Sequence, residues 1–166
     1  MHRFLEQSAT CIAQAVSGGR LDEFQPRQAG KWNAAEIVEH LTRAYASTNR
    51  LLQRQLASGS AVPRRPTWRE RCRALMVIEA GYFPKGVKAP EFTRPRGSAP
   101  ESVLPAFREA LRAMDEILER CEQRFGHGKV AAHFLFGPLS VRQWRKFHWV
   151  HTRHHAAQIA RLRTLH

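Results

Sequence analysis

The sequence predicts an all-α fold, a four-helix bundle with one additional short helix and two long loops. Apolar residues recur at intervals of three and four positions over most of the chain, the spacing that places them on one face of a helix. No sustained alternation of apolar and polar residues indicates a half-buried strand. Capping residues, prolines and glycines divide the 166 residues at intervals that suit such a bundle.

The first two helices have recognisable ends. The first is predicted from about Arg3 to Val16, where the sequence SGGR follows it. The second begins after Asn33, which can cap the helix while Glu36, three residues later, completes a capping box. Its apolar positions continue to about Leu56.

The third helix is short and is predicted from Trp68 to Ala80, after the turn-forming sequence GSAVPRRP. A loop over residues 81–100 follows it, rich in proline and glycine and containing three aromatic residues. A loop of this length in a compact domain is more often functional than accidental, which predicts a lid. Ser98 and Glu101 are expected to form a second capping box that opens the fourth helix, with Pro100 near its first position.

The fourth helix is predicted to end at Gly126, and the sequence HGKVAAHFLFGPL forms the second long loop. Ser140 and its partner Gln143 mark the start of the last helix. One domain over residues 1–166 is the simplest division, because there are no repeats and no low-complexity segment.

The formal net charge of +13 comes almost entirely from arginine. Such a charge suits nucleic acid, anionic lipid or an acidic small molecule as a partner. The arginines are spread along the chain, however, and the densest group, over residues 64–73, contains only Trp68 as a stacking residue. This distribution favours a solvated basic surface.

Cysteine usage and hydropathy predict a cytoplasmic protein. Cys11, Cys72 and Cys121 lie far apart and form no CxxC pair, which indicates reduced thiols. The first residues carry charge throughout and do not resemble a signal peptide. No apolar run approaches the roughly 20 residues that span a bilayer, so no membrane partner is expected.

The last predicted helix holds four histidines within eight positions, at 148, 151, 154 and 155. The residues from Trp144 to Leu162 that are spaced alternately four and three apart form the buried seam expected of a bundle helix. This seam includes His148, His151, His155 and Gln158. Burying an unpaired imidazole or amide costs about 1–3 kcal/mol, so these side chains need partners.

A transition metal would compensate for their burial. His151 and His155 are four residues apart, project from one helix face and can chelate an ion through neutral imidazole nitrogens. His40 lies beside the apolar face of the second helix, between Ile37 and Ala44, and is the natural third ligand. The alternative is that each histidine is a core residue bonded to a backbone carbonyl.

The other histidines have less defined expectations. His154 lies about a quarter-turn off the seam, where it either supports a ligand or faces solvent. His148 either lines the pocket or completes the coordination shell. His127, His133 and His166 are expected to be loop or terminal residues.

Other chemistries of helical bundles fit less well. The seams contain no paired ExxH motifs for a di-iron site, and CxxCH, HExxH, GxSxG and phosphate-binding glycine loops are absent. Of the carboxylates near His40, Glu36 is assigned to the helix cap and Glu39 is expected to point to solvent. No general base is therefore named.

Three segments together resemble a known family. The sequences WNAAEIVEHL, GYFPKGVKAPEF and FGPLSVRQWRKFHWVHTRHHAAQI are similar to the DinB-like superfamily of bacterial four-helix-bundle metalloproteins, and more narrowly to its branch of unknown function. The resemblance covers roughly Trp32 to Leu162. Its most specific element is the ending HxxxHxxQ, which here is His151, His155 and Gln158.

The resemblance implies a metal site formed by His40, His151 and His155, typically with zinc or nickel. Some relatives are thiol-dependent and transfer or isomerise groups with a low-molecular-weight thiol, and dimers are common. The expected function is therefore a metal-dependent, thiol-dependent transferase or hydrolase, with His148 and Gln158 as pocket residues and an anionic thiol or acidic substrate favoured by the basic charge. Its alternatives are a bundle that binds metal without catalysis and a basic nucleic-acid-binding module.

Overall fold

The structure, a computed structural model, describes residues 1–19, 21, 24, 26, 30–60, 62, 64–84 and 86–163. It is mostly helical, and five helices pack as a bundle together with a small two-stranded hairpin. The helices are α1 Arg3–Ala15, α2 Ala34–Ser58, α3 Trp68–Ala74, α4 Pro100–Phe125 and α5 Val141–Arg163. A π-helical turn, Leu75–Glu79, extends α3, a 3₁₀ turn spans Glu91–Thr93, and the hairpin strands are β1 Lys129–His133 and β2 Gly137–Ser140. The prediction of a helical bundle is confirmed.

The bundle is formed by two long helix pairs. α2 packs along α4, and α1 packs along α5. The largest fully buried side chains, Tyr45, Phe107 and Trp144, come from α2, α4 and α5 and fill the space between these pairs. None of the helices in the described ranges is both long enough and apolar enough to cross a membrane.

Two of the predicted caps are present. Asn33 and Glu36 form the reciprocal capping box at the start of α2, with both bonds at 2.8 Å. At the start of α5 the Ser140 hydroxyl accepts from the backbone N–H of Gln143 at 3.4 Å, and the Gln143 side chain accepts from the Ser140 N–H at 3.2 Å. These caps fix where the two histidine-bearing helices begin.

The second predicted loop is in fact a hairpin. β1 and β2 pair antiparallel, with Lys129 opposite Ser140 and His133 opposite Gly137. The register is irregular between Lys129 and Ala131, which interrupts the alternation that would have revealed a strand. The strands are also only five and four residues long, too short for periodicity to be decisive.

The predicted cap of the fourth helix and the predicted exposure of Glu39 are both wrong, for one reason. α4 begins at Pro100 after Ala99, without a side-chain cap. The backbone N–H of Ser98 instead donates to Glu39 at 3.0 Å, and the N–H groups of Arg96 and Gly97 donate to the same carboxylate at 2.9 and 3.1 Å. Glu39 is buried, and it joins α2 to the end of the loop over residues 81–99.

These three donors also determine the charge state of Glu39. Burial by itself would raise the pKa of this carboxyl, but the backbone N–H groups of Ser98, Arg96 and Gly97 outweigh burial and lower the pKa. The carboxylate is therefore ionised at neutral pH and holds the loop through charge-assisted hydrogen bonds.

We expect Glu39→Gln to loosen the loop over residues 81–99, because an amide offers one acceptor oxygen where the carboxylate offers two charged ones. The free energy of unfolding in urea should fall by about 1–3 kcal/mol, and protease cleavage within the loop should become faster. Glu36→Gln is the matched control, because glutamine also completes a capping box. Equal effects of the two substitutions would show that Glu39 does not anchor the loop.

Candidate metal centre

Three histidine rings meet in the interior between α2 and α5. His40 comes from α2, and His151 and His155 come from successive turns of one face of α5. The Nε2 atom of His151 lies 3.3 Å from Nε2 of His40 and 3.0 Å from Nε2 of His155. All three residues are buried. The structure thus brings together the three histidines that the sequence selected as ligands.

Hydrogen bonds on the outer side of two rings fix where their protons are. Nδ1 of His40 lies 2.9 Å from the carbonyl oxygen of Thr93, and Nδ1 of His155 lies 2.7 Å from Oε1 of Gln158. Both oxygens can only accept, so in each neutral ring Nδ1 carries the proton. Nε2 of His40 and of His155 therefore presents a lone pair toward the centre of the cluster.

The Gln158 side chain is itself held in place. Its amide nitrogen lies 3.2 Å from Nε2 of His154, so its oxygen turns toward His155. Gln158, which the sequence predicts as a pocket residue, contacts the imidazole of His155. Hydrogen bonds of this kind to metal-binding histidines fix their tautomer and ring orientation.

The cluster fits a divalent transition ion. Four-coordinate zinc with bonds of about 2.0–2.1 Å holds its ligand nitrogens about 3.3 Å apart, close to the two separations between Nε2 atoms. Without a cation, a single proton on Nε2 of His151 can bridge to only one of the two lone pairs that face it. Nδ1 of His151 is also buried and has no hydrogen-bond partner among the described residues. Imidazole donors suit zinc and nickel.

Burial keeps all three rings neutral. It lowers the pKa of His155 to about 3, and it lowers the pKa of His151 well below the usual value, with the other histidines adding to the effect. It also lowers the pKa of His40, although the hydrogen bond to Thr93 opposes this. Because a metal ligand must be unprotonated, these rings can bind an ion at neutral pH without first losing a proton.

Aromatic side chains enclose the cluster. The ring of Phe83, from the loop over residues 81–99, stacks on His151 with centroids 5.3 Å apart, and Phe147 stacks on His151 with centroids 5.7 Å apart. The Trp32 ring lies 5.0 Å from His40. The loop predicted to be a lid therefore lies against the site, and it supplies both Phe83 and the Thr93 carbonyl.

His148 lies outside the cluster. Its Nε2 is 3.1 Å from the hydroxyl of Thr48, and its ring centroid is 4.2 Å from that of Tyr45. It is fully buried in the bundle one turn before His151. Of the two alternatives for His148, completing the coordination shell is not supported, because its nitrogens do not converge with those of the other three histidines: Nε2 is bonded to Thr48 on α2, and Nδ1 has no partner among the described residues.

His133 also differs from its expectation. It ends β1, is buried, and packs against the rings of Phe136, Trp144 and Phe147. Its Nδ1 accepts the backbone N–H of Leu135 at 3.1 Å.

Two other histidines, His127 and His166, are also predicted to be loop or terminal residues. His127 is exposed, as expected, and His166 lies outside the described residues.

Sequence reasoning missed two parts of the site. The partner of His40 is a backbone carbonyl, that of Thr93, which leaves no signal in the identity of the residue. The sequence gives only a weak indication that Glu39 belongs to the site, namely its position next to His40 in the same helix. Only its position against the backbone of residues 96–98 reveals its role.

The fold and the site define a helical-bundle protein with a buried three-histidine cluster that can hold a metal ion. Residues 80–161 match a family model described as "Protein of unknown function (DUF1569)". This segment contains His151 and His155 but not His40. No curated protein and no solved structure matches the chain significantly. Because the family description states no fold or activity, the DinB-like resemblance stays a prediction.

We expect the metal-free protein to lose stability as the pH falls below 6.5. Burial lowers the pKa of His133, His148 and His155 to about 3 each. Between pH 6.5 and about 3, these three histidines are therefore protonated in the unfolded chain and neutral in the folded chain. Each group then lowers the free energy of unfolding by about 1.4 kcal/mol per pH unit, and above pH 6.5 the effect vanishes.

Urea denaturation in a chelator at several pH values measures this dependence. In His133→Leu the slope below pH 6 should fall by about 1.4 kcal/mol per pH unit, whatever the change in absolute stability. A slope that is the same in wild type and in His133→Leu would contradict the burial of a neutral His133.

Proposed function

We propose that the protein is a DinB-like metalloprotein that binds a divalent zinc or nickel ion through His40, His151 and His155. The observation that supports this most strongly is the convergence of the three Nε2 atoms, two of them with their lone pairs fixed inward by outer hydrogen bonds. A divalent ion held by three neutral imidazoles supplies Lewis acidity, the property that metal-dependent transferases and hydrolases use.

Three ligands favour a reactive centre over a purely structural one. Structural zinc sites are normally closed by four protein ligands, whereas catalytic sites keep one position open. Within the described residues, no fourth histidine, cysteine or carboxylate joins the group. His148, the candidate for such a fourth ligand, is hydrogen-bonded to Thr48 instead. On this basis we propose a metal-dependent transferase or hydrolase.

The residues around the cluster have separate tasks in this proposal. Thr93 and Gln158 hold the imidazoles of His40 and His155 in one tautomer and one orientation. Phe83 and Trp32 form apolar walls that limit the access of water. Glu39, bonded to the backbone of the loop, keeps the wall that carries Phe83 in position.

The substrate class follows from charge and from the resemblance. A net charge of +13 favours anionic partners, so we propose a low-molecular-weight anionic thiol or an acidic molecule as substrate. In a thiol transfer the sulfur forms a bond to an electrophilic carbon, the leaving group departs, and the thiol proton passes to solvent. By the same resemblance we propose that the protein is a homodimer.

Metal analysis of the purified protein, loaded with zinc or nickel and then dialysed, tests the proposed site. Wild type should retain about one ion per chain, and His40→Ala and His155→Ala should retain none, because two imidazoles form only a weak site. His127→Ala, which removes an exposed histidine, is the matched control and should bind as wild type does. Wild type without stoichiometric metal would contradict the proposal.

Gln158→Met is a finer variant for the same measurement. It keeps the three ligands but removes the acceptor for the His155 Nδ1 proton, so metal affinity should fall about 10- to 100-fold. Circular dichroism should show an unchanged helix content. An unchanged affinity would mean that the orientation of His155 does not depend on Gln158.

A screen of anionic thiols with electrophilic acceptors tests for catalysis. Turnover should require bound metal and should be lost in His155→Ala, while His127→Ala should behave as wild type does. Metal binding without turnover on any thiol or hydrolysable acidic substrate would favour the non-catalytic alternative. DNA binding that weakens steeply with salt and is the same in His155→Ala would favour the nucleic-acid alternative.

A further inference from the structure

A second cavity lies away from the histidines, between α3 with its π-helical turn, the hairpin, and the start of α5. Its volume is about 510 Å³, within the range of roughly 300–1,000 Å³ that small-molecule sites occupy. It shares no described residue with the histidine cluster. Gln143, on its edge, precedes His151 by eight residues of α5, a rise of about 12 Å.

One side of this cavity is apolar. The hairpin contributes Phe136, Pro138 and Leu139, which are buried, with only 4% of Phe136 and 1% of Leu139 exposed. Ala74 and Leu75 contribute from the junction of α3 with the π-helical turn, and Leu75 is 65% exposed. A ring or a short hydrocarbon chain could cover this surface. Segments of π-helix occur frequently at functional sites, because they displace side chains from the regular helical positions.

The opposite side carries positive charge. Arg65 and Arg71 line the cavity and are exposed, and neither forms an ion pair with another described residue. The Lys129 ammonium is half-buried and donates to the neutral Gln143 side chain at 2.6 Å. Burial lowers the pKa of Lys129, and the nearby charge of Arg71 adds to this effect, while Glu79 opposes it.

Among the described residues that line the cavity, Glu79 is the one carboxylate, and its charge is already neutralised. Glu79 lies 3.1 Å from Arg142 and 2.7 Å from Lys146, so two cations share its charge. The other charged residues described in the cavity wall, Arg65, Arg71 and Lys129, are all positive. An anion placed between Lys129 and Arg71 would be attracted by both without displacing an existing ion pair.

We propose that this cavity binds a small amphipathic anion, whose apolar body lies along Leu75 beside the hairpin and whose anionic head lies between Lys129 and Arg71. A carboxylate and a phosphate monoester share the required chemistry. The site is separate from the histidine cluster, so binding does not depend on bound metal. The anion would be a second kind of ligand, independent of the metal ion proposed for the three-histidine cluster.

Isothermal titration calorimetry with octanoate and octyl phosphate, each below the concentration at which it forms micelles, tests the proposal. Both should bind saturably with one molecule per chain. Octanol, which lacks the charge, and inorganic phosphate, which lacks the apolar body, should each bind at least about tenfold more weakly. Protein treated with a chelator should give the same result as metal-loaded protein.

Single substitutions separate the two halves of the site. Lys129→Gln and Arg71→Gln should each weaken octanoate binding about tenfold or more and leave octanol binding unchanged. Arg108→Gln, which removes an exposed positive charge from α4, is the control for net charge. Leu75→Ser should weaken octanoate binding, while Met76→Ser, at an exposed neighbour that does not line the cavity, should not.

Three results would overturn the proposal. The first is octanol binding as tight as octanoate binding, and the second is wild-type affinity in both Lys129→Gln and Arg71→Gln. The third is an equal loss of affinity in Arg108→Gln, which would indicate a general effect of net charge. Because Arg71, Arg108, Leu75 and Met76 are exposed, these variants should fold, and circular dichroism would verify this.

Discussion

The packing around α5 depends on one requirement: the buried ring nitrogens of His40, His151 and His155 need hydrogen-bond partners or a bound cation. Two of them donate outward, His40 to the Thr93 carbonyl and His155 to Gln158, and both then turn a lone pair toward His151. Each outer partner needs support of its own. The Thr93 carbonyl belongs to a loop that Glu39 holds through three backbone N–H groups. The position of the loop and the tautomers of His40 and His155 are therefore linked by one set of hydrogen bonds.

Because α5 buries several polar side chains, its burial would be costly if they were unpaired. Hydrogen bonds to α2 lower this cost. His148 bonds to Thr48, and the hydroxyls of Tyr45 and Thr152 lie 3.1 Å apart. Burial raises the pKa of Tyr45 to about 12, although hydrogen bonds from its partners oppose this, so the phenol stays neutral. Paired neutral polar groups cost little when buried, whereas unpaired ones cost about 1–3 kcal/mol each. His148, His151 and Thr152 thus each have a partner on α2, whereas Nδ1 of His148 and Nδ1 of His151 are buried with no partner among the described residues.

The helical framework and the three histidines that converge could both be predicted from sequence patterns. The capping box of Asn33 and Glu36 and the four-residue spacing of His151 and His155 are properties of neighbouring residues, which a sequence displays directly. The errors concern contacts between distant segments. The sequence predicts that Glu39 points to solvent and that Ser98 caps a helix, yet the backbone N–H of Ser98 donates to the Glu39 carboxylate, 59 positions away. The sequence does not predict the hairpin, because its strands are short and their register is irregular.

The sequence by itself therefore determined that the chain forms a helical bundle and that three histidines in two of its helices are candidate ligands, since helical periodicity and capping are local. Only the tertiary structure decided which nitrogen of each ring faces the centre, because that depends on a carbonyl and an amide supplied from elsewhere in the fold. It also decided that His148 pairs with Thr48 and that His133 packs among aromatic rings. The surroundings of both histidines depend on which side chains other segments place against them. The spacing of residues along one helix does not reveal this.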